Sequence, residues 1–253
     1  MKKAILSVSF GTTYEDTREK TIDRVEEKLK AGFPEWKLLS AYTSGMIRQV
    51  LEKRGRKVLS PQEALETLQK AGTEEILVQP THLICGEEFE RLEAAVGEYR
   101  GCFSSLKLGL PLLAGEEDIQ EAARKIAARF PQEEGTALVL MGHGTSHPVD
   151  KIYSRVQEVF REQGREDIFV GCVEGGLGMP SLSPKQWKKV MLTPLMLVAG
   201  DHAKNDMAGE EPDSWQSLFR EQGFQVETVL KGLGEYPEIQ EMYLRHARQA
   251  KEV

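Results

Sequence analysis

The chain has 253 residues, 40% of them hydrophobic and 29% charged. That composition excludes intrinsic disorder and allows one large domain or two of about 120 residues. A net charge of -7 argues against general nucleic-acid binding, because phosphate contacts need a basic face.

Residues 4–9 form a short apolar run after two lysines, a pattern that imitates a secretory leader. The run gives way at once to Gly11-Thr12-Thr13 and charged residues, so a first strand is predicted and a cytoplasmic location expected. No run of roughly 18 apolar residues occurs, and no membrane partner is expected. Helical spacing of Ile22, Val25 and Leu29 predicts a helix over 16–31, ended by Pro34. A strand over 37–42 and a helix over 44–54 follow. Ser60-Pro61-Gln62-Glu63 is a helix start of capping-box type, with the helix reaching residue 70. Strands are predicted over 75–80 and 107–111, with helices over 87–99 and 116–130.

The order then repeats. Strands are predicted over 137–141, 168–173, 189–194 and 225–230. Helices are predicted over 148–163, around 186, and over 212–222 and 237–250. Strands alternating with helices imply parallel sheets covered on both faces. Residues repeat as well. Val8-Ser9-Phe10-Gly11-Thr12-Thr13 aligns with Met141-Gly142-His143-Gly144-Thr145-Ser146, and the nine residues from Pro80 to Glu88 align with Pro194 to His202 without a gap. Tyr42-Thr43-Ser44-Gly45 falls opposite Val173-Glu174-Gly175-Gly176, and Leu113-Ala114-Gly115-Glu116 near Gly232-Leu233-Gly234-Glu235. Such matches in one order imply an internal duplication. Each half is then a four-stranded parallel sheet with flanking helices. The halves are divided as 1–130 and 131–253, with the last helix, 237–250, assigned to pack on the first domain. The repeated segments are strand C-terminal ends, where open α/β sheets bind ligands, so a cleft lined by paired loops is expected.

The duplication also marks where the halves differ. Phe10 becomes His143, Thr43 becomes Glu174, and Glu88 becomes His202. Three candidate catalytic or metal-binding groups therefore stand in one half, the other supplying shape. His143 lies between two glycines at a strand end; the alternative is a helix cap or a satisfied core histidine. Glu174 precedes Gly175-Gly176 and either accepts a proton, joins a metal or is a surface carboxylate. His202 follows a long apolar run; the alternative gives the capping role to Asp201 and leaves His202 incidental. His147, just before Pro148, reads first as a helix start. Two imidazoles and a carboxylate suit a borderline ion such as Co²⁺, Ni²⁺, Fe²⁺ or Zn²⁺. No Gly-x-Gly-x-x-Gly or phosphate-loop pattern follows any strand, so no nucleotide cofactor is expected. Cys85, Cys102 and Cys172 are odd in number and lack metal-type spacing. They read as reduced thiols acting as small buried hydrophobes.

Met-Gly-His-Gly-Thr-Ser-His at 141–147, Val-Glu at 173–174 and Pro-Leu-Met-Leu-Val-Ala-Gly-Asp-His-Ala-Lys-Asn-Asp-Met at 194–207 resemble the anaerobic sirohydrochlorin cobaltochelatases, class II chelatases similar to ferrochelatase. Ser-Phe-Gly-Thr at 9–12, Thr-Ser-Gly-Met-Ile at 43–47 and Gly-Leu-Gly-Glu at 232–235 extend the likeness over nearly the whole chain. The resemblance implies two flavodoxin-like domains and ATP-independent insertion of Co²⁺ into sirohydrochlorin or its precorrin-2 form, in cobalamin biosynthesis. Its metal-site residues correspond to His143, Glu174 and His202. An aromatic residue and a proline are expected soon after the glutamate; Gly175-Gly176-Leu177-Gly178-Met179-Pro180 stands there instead. Iron or nickel insertion, and a non-catalytic tetrapyrrole or metal carrier, remain alternatives, and a homo-oligomer stays open. In this reading Phe10 and Leu83 press on the macrocycle. Arg48 and Lys204 meet its carboxylates, as do backbone amides of Gly11, Thr12, Ser44 and Gly45. Arg54, Arg56 and Lys57 are read first as an exposed helix face. His82 lines the cleft; in some relatives a histidine in this segment is linked to haem.

Overall fold

The short hydrophobic runs pair as strands. In the computed structural model, which describes residues 2–253, β1 (Lys3–Ser9) is buried along nearly its whole length. It lies between β2 (Lys37–Tyr42) and β3 (Glu75–Pro80), both parallel to it. β4 (Ser105–Leu108) continues the parallel sheet beside β3. The second sheet repeats the plan. β5 (Thr136–Gly142) is buried throughout and is flanked in parallel by β6 (Ile168–Cys172) and β7 (Lys189–Pro194), with β8 (Gln225–Thr228) beyond β7. The strand orders β2-β1-β3-β4 and β6-β5-β7-β8 are the same order twice, so the duplication seen in residues is also one of topology. A two-residue strand, β9 (Lys251–Glu252), adds antiparallel to β4 and makes the first sheet five-stranded. Its anchor is Glu252, whose carboxylate accepts from the Leu106 amide and the Ser105 hydroxyl.

Helices cover the sheets: α1 (Glu15–Lys20), α2 (Ile22–Gly32), α3 (Gly45–Lys53), α4 (Pro61–Lys70), α5 (Glu87–Gly97), α6 (Glu116–Arg129), α7 (Lys151–Glu162), α8 (Trp215–Glu221) and α9 (Pro237–Arg248). Their apolar faces pack against the sheets, with one large buried cluster in each unit. Leu6, Val8, Leu65, Ile76 and Val78 are among the residues of the first, and Val139, Met141, Leu192, Trp215 and Phe219 of the second. None of the described helices is long and apolar enough to cross a membrane.

Several elements depart from the sequence-based expectation. The single helix over 16–31 is two, because the Thr21 hydroxyl donates to the Thr17 carbonyl at 2.6 Å. That back-bond competes with the helical ladder. The helix expected over 212–222 begins at Trp215, where the Ser214 hydroxyl accepts from the Ser217 amide. Around Gln186 there is only a turn on the Ser183 carbonyl. β4 ends at Leu108 rather than residue 111.

The chain divides into residues 1–114 with 234–253, and residues 115–233. The boundary expected at 130 therefore lies before α6. The reason is a set of polar ties from α6 to the second unit: Arg165 donates to the Ala127 and Phe130 carbonyls at 2.8 and 2.7 Å, and Gln163 to the Gln120 carbonyl at 3.0 Å. The helix α9 returns to the first unit. There the Tyr243 hydroxyl donates to the Thr81 carbonyl at 2.9 Å, and Lys28 pairs with Glu241 at 2.6 Å.

The capping box at α4 is complete: the Ser60 hydroxyl accepts from the Glu63 amide at 3.1 Å, and the Glu63 carboxylate from the Ser60 amide at 2.7 Å. We expect Ser60→Ala to cost about 1 kcal/mol and to lower the melting temperature by roughly 2–4 °C. An unchanged thermal transition would contradict that role.

Candidate functional site

In an open sheet of order 2-1-3-4, successive crossovers leave the first strand in opposite directions, and the loops after strands 1 and 3 splay apart to leave a crevice. In the second unit those strands are β5 and β7. His143 directly follows β5, and His202 lies in the segment after β7. Their rings meet edge to face, with centroids 4.6 Å apart and planes at 87°.

Each ring has its Nδ1 engaged. His143 Nδ1 lies 2.8 Å from the Gly144 carbonyl oxygen, which can only accept, so Nδ1 carries a proton and the lone pair of the neutral ring falls on Nε2. His202 Nδ1 lies 2.8 Å from Asp206 Oδ2. A carboxylate at that distance fixes the same tautomer and the ring's orientation. Asp206 reaches His202 from one helical turn later. That turn widens into a π-helix over Ala203–Met207, with the Ala208 amide bonding back to the Ala203 carbonyl at 3.2 Å. π-turns often mark functional sites.

Glu174 follows β6, on the other side of β5. Its amide donates to the His143 carbonyl at 2.8 Å, so the two backbones are adjacent, while its side chain is exposed. Among the described residues, no three His, Cys, Asp or Glu side chains form a preassembled metal-type cluster. The structure thus joins His143 to His202 and brings Glu174 beside them by backbone only.

The 143–145 and 174–176 loops lie against each other so closely that glycine is required in each. Gly144 has φ +78°, and a Cβ there would collide with the Glu174 carbonyl. Gly175 has φ +80°, and a Cβ would come within 2.6 Å of the Asp150 carboxylate. Asp150 itself accepts from the Thr145 amide and from the Gly176 amide, both at 3.0 Å. His147 takes the structural role: its Nδ1 accepts from the Val149 amide at 3.2 Å and caps the short turn Pro148–Asp150. Lys204 lies half-buried on the π-turn.

The first unit presents the equivalent edge. Phe10, after β1, is 48% exposed. Gly11 lies against the Tyr42 ring, and Thr12 is buried, its hydroxyl accepting from the Tyr14 amide. The Ser44 hydroxyl caps α3 by accepting from the Ile47 amide at 3.3 Å, which leaves Gly45 in the first turn. Arg48, one turn on, is drawn towards Glu63 at 3.6 Å. Arg54 donates to the Thr13 carbonyl at 2.8 Å and so has a structural use. His82 and Leu83 follow β3, Leu83 half-buried. His82 is 9% exposed. Its Nε2 faces the Thr43 hydroxyl at 3.5 Å, and burial pushes its pKa down from 6.5 to about 4.

No disulfide joins any of the three cysteines, and they do not share one environment. Cys172 is buried, which pushes its thiol up to about 12, while Cys102 is exposed and Cys85 intermediate. The expectation of three buried cysteines is therefore corrected for two. Cys102 sits in the turn between α5 and β4, outside either core.

Sequence reasoning did not single out Asp206 or Asp150. The spacing His-x-x-x-Asp at 202–206 is a usable signal, since residues four apart share a helix face, but no element is predicted from the sequence over 203–207. Nothing local marks Asp150, whose partners lie in two other segments.

A family model described as "Cobalt chelatase (CbiK)" matches residues 3–252. The chain is 39% identical over 256 residues to the sirohydrochlorin cobaltochelatase of Salmonella typhimurium, covering 99% of this chain and 97% of that protein. It is 32% identical over 253 residues to the sirohydrochlorin cobaltochelatase CbiKC of Nitratidesulfovibrio vulgaris, covering 97% and 89%. The solved structure of SirB from Bacillus subtilis with Fe3+ superposes with a TM-score of 0.63 at 16% identity, over 98% of this chain and 95% of that one. That likeness is one of fold.

Because His82 has a folded pKa near 4 against 6.5 for the free side chain, the unfolded chain binds more protons between those values. Its stabilising contribution is whole above pH 6.5 and is lost as pH falls through 4. It amounts to about 3 kcal/mol. Denaturant titrations at pH 7 and pH 4.5 should show a larger loss for the wild type than for His82→Leu. Equal losses would contradict a buried neutral imidazole.

Proposed function

This chain belongs to the cobalt chelatase (CbiK) family, and we propose that it inserts Co²⁺ into sirohydrochlorin, or into its precorrin-2 form, without a nucleotide. The observation that carries the proposal is the pairing of His143 with His202, each tautomer leaving Nε2 free of hydrogen. Two adjacent imidazoles whose Nδ1 atoms are both engaged elsewhere leave Nε2 of each as the atom to offer a borderline divalent ion.

Insertion must strip the ion of water and remove two protons from the pyrrole nitrogens. Imidazole ligands serve the first need because they hold Co²⁺ firmly enough to replace water, and they can pass it stepwise to four ring nitrogens. Asp206 keeps His202 in the binding tautomer throughout. Glu174 serves the second need. Its carboxylate stands on an exposed loop beside His143, free to take a pyrrole proton or to complete the ion's coordination. Because the nitrogens of the macrocycle bind the ion more tightly than two imidazoles do, transfer needs no coupled hydrolysis.

For the macrocycle we assign the C-terminal edge of the first sheet. Exposed Phe10 and half-buried Leu83 offer apolar surface to the ring. Arg48 and the amides at the start of α3, together with those of Gly11 and Thr12, offer positive charge and N–H donors to its peripheral carboxylates. His82, held neutral by burial, adds an uncharged polar edge. Lys204 adds a cation in the second unit.

His143→Ala and His202→Ala should each lower kcat/KM with Co²⁺ by about 10²–10⁴-fold, the range for a positioned acid–base or binding group. The double variant should be little worse than either single, because the pair acts as a unit. Near-normal formation of cobalt-sirohydrochlorin by both single variants, followed by absorbance, would refute the assignment.

A further inference from the structure

Asp150 occupies the position before the first residue of α7, where an aspartate ordinarily caps its own helix by accepting from the second or third amide. It does not do so here: its side chain makes no capping bond. One oxygen accepts from Thr145, two residues after His143, and the other from Gly176, two residues after Glu174. A carboxylate is suited to this task because both its oxygens are acceptors and both partners are N–H donors. An asparagine would turn an NH₂ group towards one of the donors.

The tie matters because little else fixes the 174–176 loop. Glu174, Gly175 and Gly176 are all exposed, so hydrophobic packing does not hold them. The Glu174 amide bonds to the His143 carbonyl, and beyond that point the loop is held through Gly176 and Asp150. On the other side, Gly142 packs directly against the Tyr153 ring of α7. A Cβ on Gly142 would come within 2.5 Å of the Tyr153 ring, and the buried Tyr153 hydroxyl interacts with the Gly144 backbone. The start of α7 thus braces the His143 loop by packing and the Glu174 loop by hydrogen bonding.

We propose that Asp150 is a positioning residue that holds the Glu174 carboxylate beside His143, and so sets the affinity for the metal ion without touching it. This rests on the reading of His143, His202 and Glu174 as the ion's site. The geometry separates Asp150 from Asp206, which acts on His202 alone. Freed from Asp150, the glycine-rich loop gains conformations in which the carboxylate points elsewhere.

The test is Co²⁺ binding to the full chain, followed by the visible ligand-field absorption of the ion, in Asp150→Ala, Asp150→Asn, Glu174→Gln and the double variant D150A/E174Q. Asp150→Ala should weaken Co²⁺ binding by about 10-fold, the lower range for losing a partner that orients a ligand, and should change the absorption envelope. Asp150→Asn, nearly isosteric and the control against misfolding, should lie between Asp150→Ala and the wild type. The double variant should lose less than the product of the single losses. Wild-type affinity and spectrum in both Asp150 variants, with Glu174→Gln weakened, would overturn this inference alone, as would full multiplicativity in the double variant. Wild-type affinity in Glu174→Gln would overturn the assignment of Glu174 and the inference with it.

Discussion

The meeting of two imidazoles beside the central strand of the second sheet is the constraint on which the proposed chemistry depends. It follows from strand order. β5 lies between β6 and β7 with all three parallel, so the chain leaves their C-terminal ends on one edge of the sheet. His143 sits one residue past β5, and the segment from β7 needs only a short apolar loop and one helical turn to return His202 to it. A single added or lost residue in either segment would turn a ring away. The rigid part of the device is therefore the sheet, whose buried strands fix where the loops begin.

Precision at the tips comes from polar contacts instead. Asp206 locks His202 across one helical turn, and the Gly144 carbonyl does the same for His143 from the adjoining peptide. Both contacts select the same ring nitrogen as the proton carrier. Glu174 is treated differently. It is on an exposed loop, tied by its own amide to the His143 carbonyl and, through the Gly176 amide, to the Asp150 carboxylate. In the proposed function, two firmly held imidazoles and one carboxylate on an exposed loop suit a site that must release its ion, since a fully closed cage would compete with the acceptor macrocycle.

Much of this was legible in the chain itself. The alternation of apolar runs with helical spacing gave the α/β class, and the matched segments gave the duplication before any coordinates. Aligning the two copies picks out His143, Glu174 and His202, because their counterparts are Phe10, Thr43 and Glu88. What stayed hidden was whatever depends on contact between distant segments. Asp150 looks like an ordinary helix-start aspartate until the Gly176 amide is found beside it. The π-turn at 203–207 has no propensity signal, because it arises from the packing of Ala203 and Met207 into the core. The place of α6 depended on Arg165 and Gln163, which bond to it from more than 30 positions away along the chain. The break at Thr21 is a hydroxyl competing with an amide, a choice that helical periodicity does not register.

The most direct measurement is the structure of the protein soaked anaerobically with Co²⁺. A single cobalt ion bound by Nε2 of His143 and Nε2 of His202, each at about 2.1 Å as for comparable divalent ions on imidazole, is the expected result. Cobalt bound through Nδ1, held by only one of the two rings, or absent from both, would contradict the claim that these paired imidazoles form the metal-binding centre.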